Sequence, residues 1–201
     1  AAKVRTPAQQ TGVLQYYVTG FRDGHLRLGG PFNDRPRWAG WFAAYEGGRF
    51  VVAHAEPDWP RELPPVGATI LACDSRAPLA LLAADVAPWV DRRIEQAWSR
   101  ERLAPQLTID MGEIAGRGMP SRCTFAMPGG KARSLSLHYR DIDRGTLNAR
   151  FRGVRGGPDR AVFSLEDLGD GRWWVRVPTF DVGADGLRRI DDIAARGGAA
   201  R

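Results

Sequence analysis

The chain has 201 residues, of which 43% are hydrophobic, and it contains seven tryptophans. These values indicate a folded protein of one large or two small domains and exclude an intrinsically disordered chain. The formal net charge is +6, but it is almost entirely arginine, because Lys3 and Lys131 are the only lysines. A solvated arginine-rich surface explains this charge without an acidic partner. No apolar run approaches the roughly 20 residues of a membrane-spanning helix.

The first predicted element is a helix. Thr6 and Pro7 provide a capping hydroxyl and an N1 proline, and Gly20 marks the helix end. Residues 13–18 are expected to supply its apolar face. An Asp23-Gly24 turn follows, and residues 25–28 alternate like a short strand.

A glycine- and proline-rich linker over residues 29–36 precedes a predicted β-hairpin. Its strands cover residues 38–45 and 49–55 and are joined by a Gly-Gly turn. Residues 66–86 then show the pattern of a buried strand, a tight turn and a short helix that Pro78 begins.

The second half of the chain is predicted to alternate strands with polar segments. Cys73 and Cys123 fall in two of the buried strands and are expected to be small core residues, with a disulfide between them left open. The further predicted elements are a helix over 91–103, strands over 123–126 and 134–139, a polar surface segment over 140–158, strands over 162–165 and 172–177, and a helix over 185–195.

The segment from Gly67 to Asp74, with Ile70 and Leu71 inside it and a short helix after it, resembles the central part of a PDZ-like domain. In such domains a small-residue loop feeds an edge strand, loop N–H groups hold a peptide carboxylate, and the peptide adds to the sheet as an extra strand. The resemblance implies these peptide-binding residues: Trp38, Ala39, Gly40, Trp41 and Phe42.

Three features occur in one order: a helix followed by Asp23-Gly24-His25, the PDZ-like segment, and an aromatic strand from Arg172 into Pro178-Thr179-Phe180. Together they resemble the tail-specific (carboxyl-terminal processing), tricorn-like serine peptidases. The resemblance implies an α+β protein: a PDZ-like β-sandwich or barrel with short helices, flanked by an N-terminal helix and the first strand and helix of an α/β catalytic core. The expected division is 1–30 helical region, 31–104 PDZ-like domain, 105–171 β-rich connecting segment and 172–201 truncated catalytic domain.

His25 matches the position of the general base in the tricorn-like branch. An imidazole suits this role because its ordinary pKa near 6.5 lets it take and return a proton near neutrality. The alternative interpretation of His25 is a polar turn residue. None of the six serines lies in the glycine-rich strand-to-helix turn that bears the family's nucleophile. The chain by itself is therefore not expected to hydrolyse peptides.

The resemblance also implies a polypeptide substrate or a protein C-terminus as partner, no cofactor or metal, and a periplasmic or secreted location in a bacterium; it leaves the oligomeric state open. One alternative function is a stand-alone PDZ-like module that binds peptides without catalysis. Another is nucleic-acid binding by the arginine, glycine and aromatic run over residues 150–157. That run is a single short one between predicted strands, so no nucleic-acid partner is expected.

Overall fold

A computed structural model describes the fold. The residues that it describes are 4–26, 28, 36–110, 112, 118–155, 164–169, 172–176, 187–188, 191–192 and 195. Of the predicted linker, only Pro36 belongs to this set. The described residues fall into two compact units, Ala1–Val154 and Arg155–Arg201. Within the described residues, no helix combines the length and the apolar character that a membrane crossing requires.

Helix α1 (Pro7–Gly20) begins and ends where the sequence predicts. The Thr6 hydroxyl accepts a hydrogen bond from the backbone N–H of Gln9, which satisfies one of the free donors of the first turn. The predicted apolar face is wrong, however. Residues 13, 14, 16 and 17 are exposed, whereas Thr11, Gly12 and Thr19 are buried. The helix packs through this small-residue face, and Thr19 donates a hydrogen bond to the Pro88 carbonyl.

The central element is a five-stranded antiparallel sheet in the order β2-β3-β4-β6-β7. Its strands are β2 (Trp41–Glu46), β3 (Arg49–Ala55), β4 (Thr69–Cys73), β6 (Arg122–Ala126) and β7 (Ala132–Ser136). The predicted hairpin is confirmed, because β2 pairs with β3 around Gly47 and Gly48, which both have positive φ. The predicted strands near residues 68–73 and 123–126 are confirmed as β4 and β6. The predicted strand over 134–139 is confirmed only over residues 134–136, the last part of β7, and residues 137–139 are not in a strand.

Short helices connect β4 to β6. They are α2 (Pro78–Leu81), a π-helical stretch (Leu82–Val86), α3 (Ala87–Val90), α4 (Ala97–Leu103) and a 3₁₀ helix (Ala104–Thr108). Pro78 begins α2, as predicted. The predicted helix over 91–103 is too long at its start: Asp91 is extended, with φ of −166°, and α4 begins six residues later.

A smaller antiparallel sheet has the order β5-β1-β8, and helix α5 follows it in the chain. Its elements are β1 (Arg37–Trp38), β5 (Ile109–Asp110) and β8 (Arg140–Asp141), and α5 covers Arg144–Arg155. The predicted polar surface segment over residues 140–158 is mostly exposed in its described part, but it forms a short strand and a helix that the sequence analysis did not predict. Leu147 of α5 is buried with Trp38 and Phe42, because its i, i+4 and i+7 positions are apolar.

The second unit contains an antiparallel pair, β9 (Ser164–Gly169) and β10 (Arg172–Arg176). Strand β10 confirms the predicted aromatic strand. Of the predicted C-terminal helix, Leu187, Arg188, Asp191, Asp192 and Ala195 are helical, and the turn at 178–180 lies outside the described residues.

The main core of the first unit lies under the five-stranded sheet, and a second cluster surrounds Trp38 and Phe42. A disulfide joins Cys73 of β4 to Cys123 of β6, which are direct partners in the register. The structure thus closes the disulfide question that the sequence leaves open. The sheet takes strands from both the predicted 31–104 and 105–171 segments, while the four-part domain division itself stays a prediction.

The described residues form an α+β fold of antiparallel sheets and helices, as predicted at that level. The finer expectation of a PDZ-like domain stays a prediction.

Candidate functional site

His25 lies in the turn that follows α1, with its side chain 99% exposed to solvent. The residues described at 25, 26 and 28 do not form the predicted strand. Arg22 creates the turn by taking a left-handed conformation, with φ of 56°. The turn therefore holds the imidazole outside the protein core, where a second group can reach it.

Asp23 contacts the imidazole of His25 directly. Its Oδ1 accepts the backbone N–H of His25 at 2.9 Å and lies 3.0 Å from the ring Nδ1. The backbone hydrogen bond from His25, followed by the ring hydrogen bond, lowers the pKa of the Asp23 carboxyl below its usual value. Since an ionised carboxylate only accepts hydrogen bonds, Nδ1 of a neutral His25 must carry the proton. The free lone pair of the ring is then on Nε2.

Asp91 lies next to this turn, at the end of α3, and its side chain is only 3% exposed. Its carboxylate accepts four hydrogen bonds: from Nε and Nη2 of Arg93 at 2.9 and 3.0 Å, from Nη2 of Arg102 at 2.7 Å and from the Ser99 hydroxyl at 3.2 Å. Burial by itself raises the pKa of Asp91, but the hydrogen bonds from Arg93 and the charge of Arg102 outweigh it and lower the pKa to about 2. Asp91 is therefore ionised and fully paired.

A cavity of about 190 Å³ lies between α1, the turn and this ion-pair cluster. Gln15, Asp23, Leu26, Val90 and Arg102 line it together with neighbours from the same elements. It is smaller than the roughly 300–1,000 Å³ of typical ligand pockets. The space beside the turn is therefore a cleft of about the size of one side chain.

The predicted peptide-binding residues lie on β1, on the start of β2 and in the junction between them. All five are buried: Trp38, Ala39, Gly40, Trp41 and Phe42. Gly40 has φ of 85°, and the indole of Trp59 covers it. Trp38 and Phe42 pack against each other with ring centroids 4.8 Å apart. These side chains build the interior and present little surface to a ligand.

Strand β2 is nevertheless at the edge of the five-stranded sheet, which is the position that a docking peptide would require. The 3₁₀ helix Ala104–Thr108 lies along the start of this edge. The backbone N–H of Ala39 donates to the Thr108 carbonyl at 3.1 Å, and the Thr108 hydroxyl donates to the Trp41 carbonyl at 2.6 Å. The protein's own chain therefore uses backbone groups that a peptide would use. Peptide binding at residues 38–42 stays a prediction.

Three of the described serines have side-chain partners other than His25. Ser99 donates to Asp91, Ser121 donates to Asp74, and Ser134 shares a hydrogen bond with Thr124. Within the part of the chain that the structure describes, none of these three hydroxyls is hydrogen-bonded to the imidazole. His25 as a general base likewise stays a prediction.

Sequence reasoning did not identify Asp23, Asp91 or Arg93. A local signal exists for Asp23, because aspartate side chains in turns often accept a hydrogen bond from the backbone N–H two residues later in the chain, which here is that of His25. No local signal exists for Asp91 and Arg93, since α3 and α4 and the turn after α1 meet only in the folded protein.

Neither protein-family models nor curated proteins give a match to this chain. Solved structures of CPAF, a chlamydial serine protease, are similar in fold. The crystal structure of a CPAF point mutant has a TM-score of 0.54 at 17% sequence identity, covering 96% of this chain and 45% of that chain. Mature CPAF in complex with lactacystin has a TM-score of 0.53 at 17% identity, covering 88% of this chain and 40% of that one.

At this level of identity, the similarity is one of fold. The chain spans less than half the length of the CPAF structures that it matches. Activity, substrates and partners of the whole protein are therefore matters for proposal.

Proposed function

We propose that this chain belongs to a serine peptidase of the tail-specific, tricorn-like type, with a PDZ-like domain that docks the polypeptide substrate. The observation that carries the proposal is the fold similarity to a serine protease over 96% of the chain. The His25–Asp23 pair supports it, because it presents an oriented imidazole on an exposed turn.

In this proposal His25 is the general base. Asp23 holds the Nδ1–H, so Nε2 takes the proton from the hydroxyl of a serine as that oxygen attacks the scissile carbonyl. The same proton then passes to the leaving amine. The serine lies in the catalytic domain of the longer protein, beyond these 201 residues. The fragment alone would then position substrate without cleaving it.

The test of the base is His25→Ala in the longer protein, with peptide hydrolysis as the measurement. We expect kcat/KM to fall by about 10²–10⁴-fold, the usual contribution of a general base. His138→Ala is the matched control, since it also removes one imidazole, and its rate should stay close to that of the wild type. Unchanged hydrolysis in the His25→Ala protein would contradict the proposal.

We also propose that the edge of β2 receives the substrate C-terminus, which requires the 3₁₀ helix Ala104–Thr108 to move or to share the edge. Peptides with a free C-terminal carboxylate should bind the 201-residue chain, and the same peptides with an amidated C-terminus should bind at least about tenfold more weakly, because a charged hydrogen bond is lost. Equal binding of both forms in a calorimetric titration would sink the carboxylate-docking part of the proposal.

The location that we propose is the bacterial periplasm or the exterior. The support is the Cys73–Cys123 disulfide, since disulfides form and persist mainly in oxidising compartments. Measuring the thiol state of the two cysteines in cells tests this: a bonded pair in the exported fraction supports the location, and free thiols contradict it.

A further inference from the structure

Gly24 is the residue between Asp23 and His25, and the guanidinium of Arg93 lies against it. A Cβ built on Gly24 would be 2.3 Å from Nη2 of Arg93 and 3.1 Å from its Cζ. No side chain has room there while Arg93 stays in place. The missing side chain thus permits a close contact between the turn and the loop after α3.

Arg93 does not move away freely, because Asp91 holds it through two side-chain hydrogen bonds and one from its backbone N–H. Its side chain is 17% exposed, and its Cζ lies 4.7 Å from the centre of the Trp98 ring. Asp91 is itself fixed by Ser99 and Arg102. The planar guanidinium is therefore a rigid surface for the turn to rest on.

A second contact joins the turn after α1 to the loop after α3. Arg22, the left-handed residue that starts the turn, forms an ion pair with Glu95. Arg22 and Gly24 thus both contact the loop after α3, and Asp23 lies between them. The Asp23 carboxylate is thereby held where it accepts both His25 hydrogen bonds.

We propose that Arg93 is a positioning residue for His25. Asp91 holds the Arg93 guanidinium in place, and the guanidinium packs against the Gly24 backbone. This contact keeps the Asp23 carboxylate within hydrogen-bonding distance of the His25 Nδ1, so the free lone pair of the ring is on Nε2. The inference rests on the proposed function for its catalytic meaning. The contacts among Arg93, Gly24 and Asp23 all lie within the 201-residue chain, so they can be tested on that chain.

The experiment measures the tautomer of His25 by ¹H–¹⁵N NMR of the imidazoles, at a pH about two units above the pKa of a free imidazole. The wild-type chain should show His25 mainly as the Nδ1–H tautomer. Arg93→Ala should reduce that fraction by about twofold or more, towards the mixture that a free imidazole adopts. His54 and His138 are internal controls, and their signals should not change if the fold is intact.

Two further variants separate positioning from a general loss of structure. Gly24→Ala retains both Arg93 and Asp91, but its Cβ would overlap Nη2 of Arg93, so the guanidinium or the turn must shift, and it should change His25 as Arg93→Ala does. In the double variant the second change should add nothing, because both remove one contact. Arg76→Ala, which removes a different Arg–Asp pair at the surface, should leave His25 unchanged.

An unchanged Nδ1–H fraction in both Arg93→Ala and Gly24→Ala would overturn the positioning role. A wild-type chain in which His25 is not mainly the Nδ1–H tautomer would overturn it as well. Failure of the proposed function looks different. In that case the variants alter the His25 tautomer as expected, but His25→Ala leaves peptide hydrolysis by the longer protein unchanged.

Discussion

Asp91 is a buried carboxylate whose charge is matched by two arginines and a hydroxyl. A carboxylate with 3% exposure can remain ionised only if hydrogen bonds and positive charge replace water around it. Arg93 and Arg102 provide both. The same side chains make the loop after α3 rigid, and the turn with His25 rests on that loop.

Because the pKa of Asp91 falls from 3.8 to about 2 on folding, its ionised form stabilises the native state. This contribution, about 2 kcal/mol, is fully present above about pH 4 and is lost as the pH falls through about 2. We expect the free energy of unfolding, measured by chemical denaturation, to fall over this range in the wild-type chain.

Asp91→Asn should remove most of that acid dependence and cost about 3 kcal/mol at neutral pH, because two half-buried guanidinium groups lose their counter-charge. Glu62→Gln breaks the exposed pair with Arg133 and should cost less than about 1 kcal/mol. If the free energy of unfolding fell equally in the two variants, the ion pairs of Asp91 with Arg93 and Arg102 would contribute no more than a surface ion pair.

At the scale of elements, the junction between β1 and β2 depends on Gly40. Its φ of 85° favours glycine, and a Cβ would lie 2.4 Å from the Trp59 ring. Trp59 also packs on Trp38, with centroids 5.6 Å apart. The junction is therefore filled by aromatic side chains rather than open to a ligand.

Gly40→Ala should lower the free energy of unfolding by about 3 kcal/mol, from left-handed strain and overpacking together. Gly67→Ala is the matched control, because Gly67 has φ of 86° but open space around it, and it should cost about 1–2 kcal/mol from strain alone. Equal losses in urea titrations of the two variants would show that Trp59 gives way.

Helix α5 covers the buried aromatic side chains at the start of β2. Phe151 packs edge-on against Phe42, and Arg150 forms a two-pronged ion pair with Glu56. Residues 150–155 of the arginine and glycine run that suggested an RNA-binding tail are thus part of a helix whose apolar side contacts the core.

For the whole molecule, the Cys73–Cys123 disulfide closes a loop that includes α2, α3 and α4, with a sequence separation of 50. By the loop-entropy estimate, such a crosslink stabilises the folded state by about 4 kcal/mol. The double variant Cys73→Ala/Cys123→Ala should lose about that much. Reductant should lower the unfolding midpoint of the wild type towards that of the variant and leave the variant unchanged; a wild type insensitive to reductant would contradict the expectation.

Local chemistry by itself determined the elements that begin or end at residues with strong backbone preferences. Thr6 and Pro7 start α1, Gly47 and Gly48 turn the β2–β3 hairpin, and Pro78 starts α2. These positions are predictable because capping, a fixed φ or a positive φ acts within a few residues.

Tertiary structure alone decided which surfaces meet. Local sequence gave no sign that α1 packs through Thr19, that α5 covers Phe42, or that Asp91 holds Arg93 against Gly24. These outcomes depend on contacts between residues far apart in the chain, where burial and charge pairing override local preference. For the same reason, the sequence pointed to His25, but only the folded chain shows that its turn packs against the loop after α3.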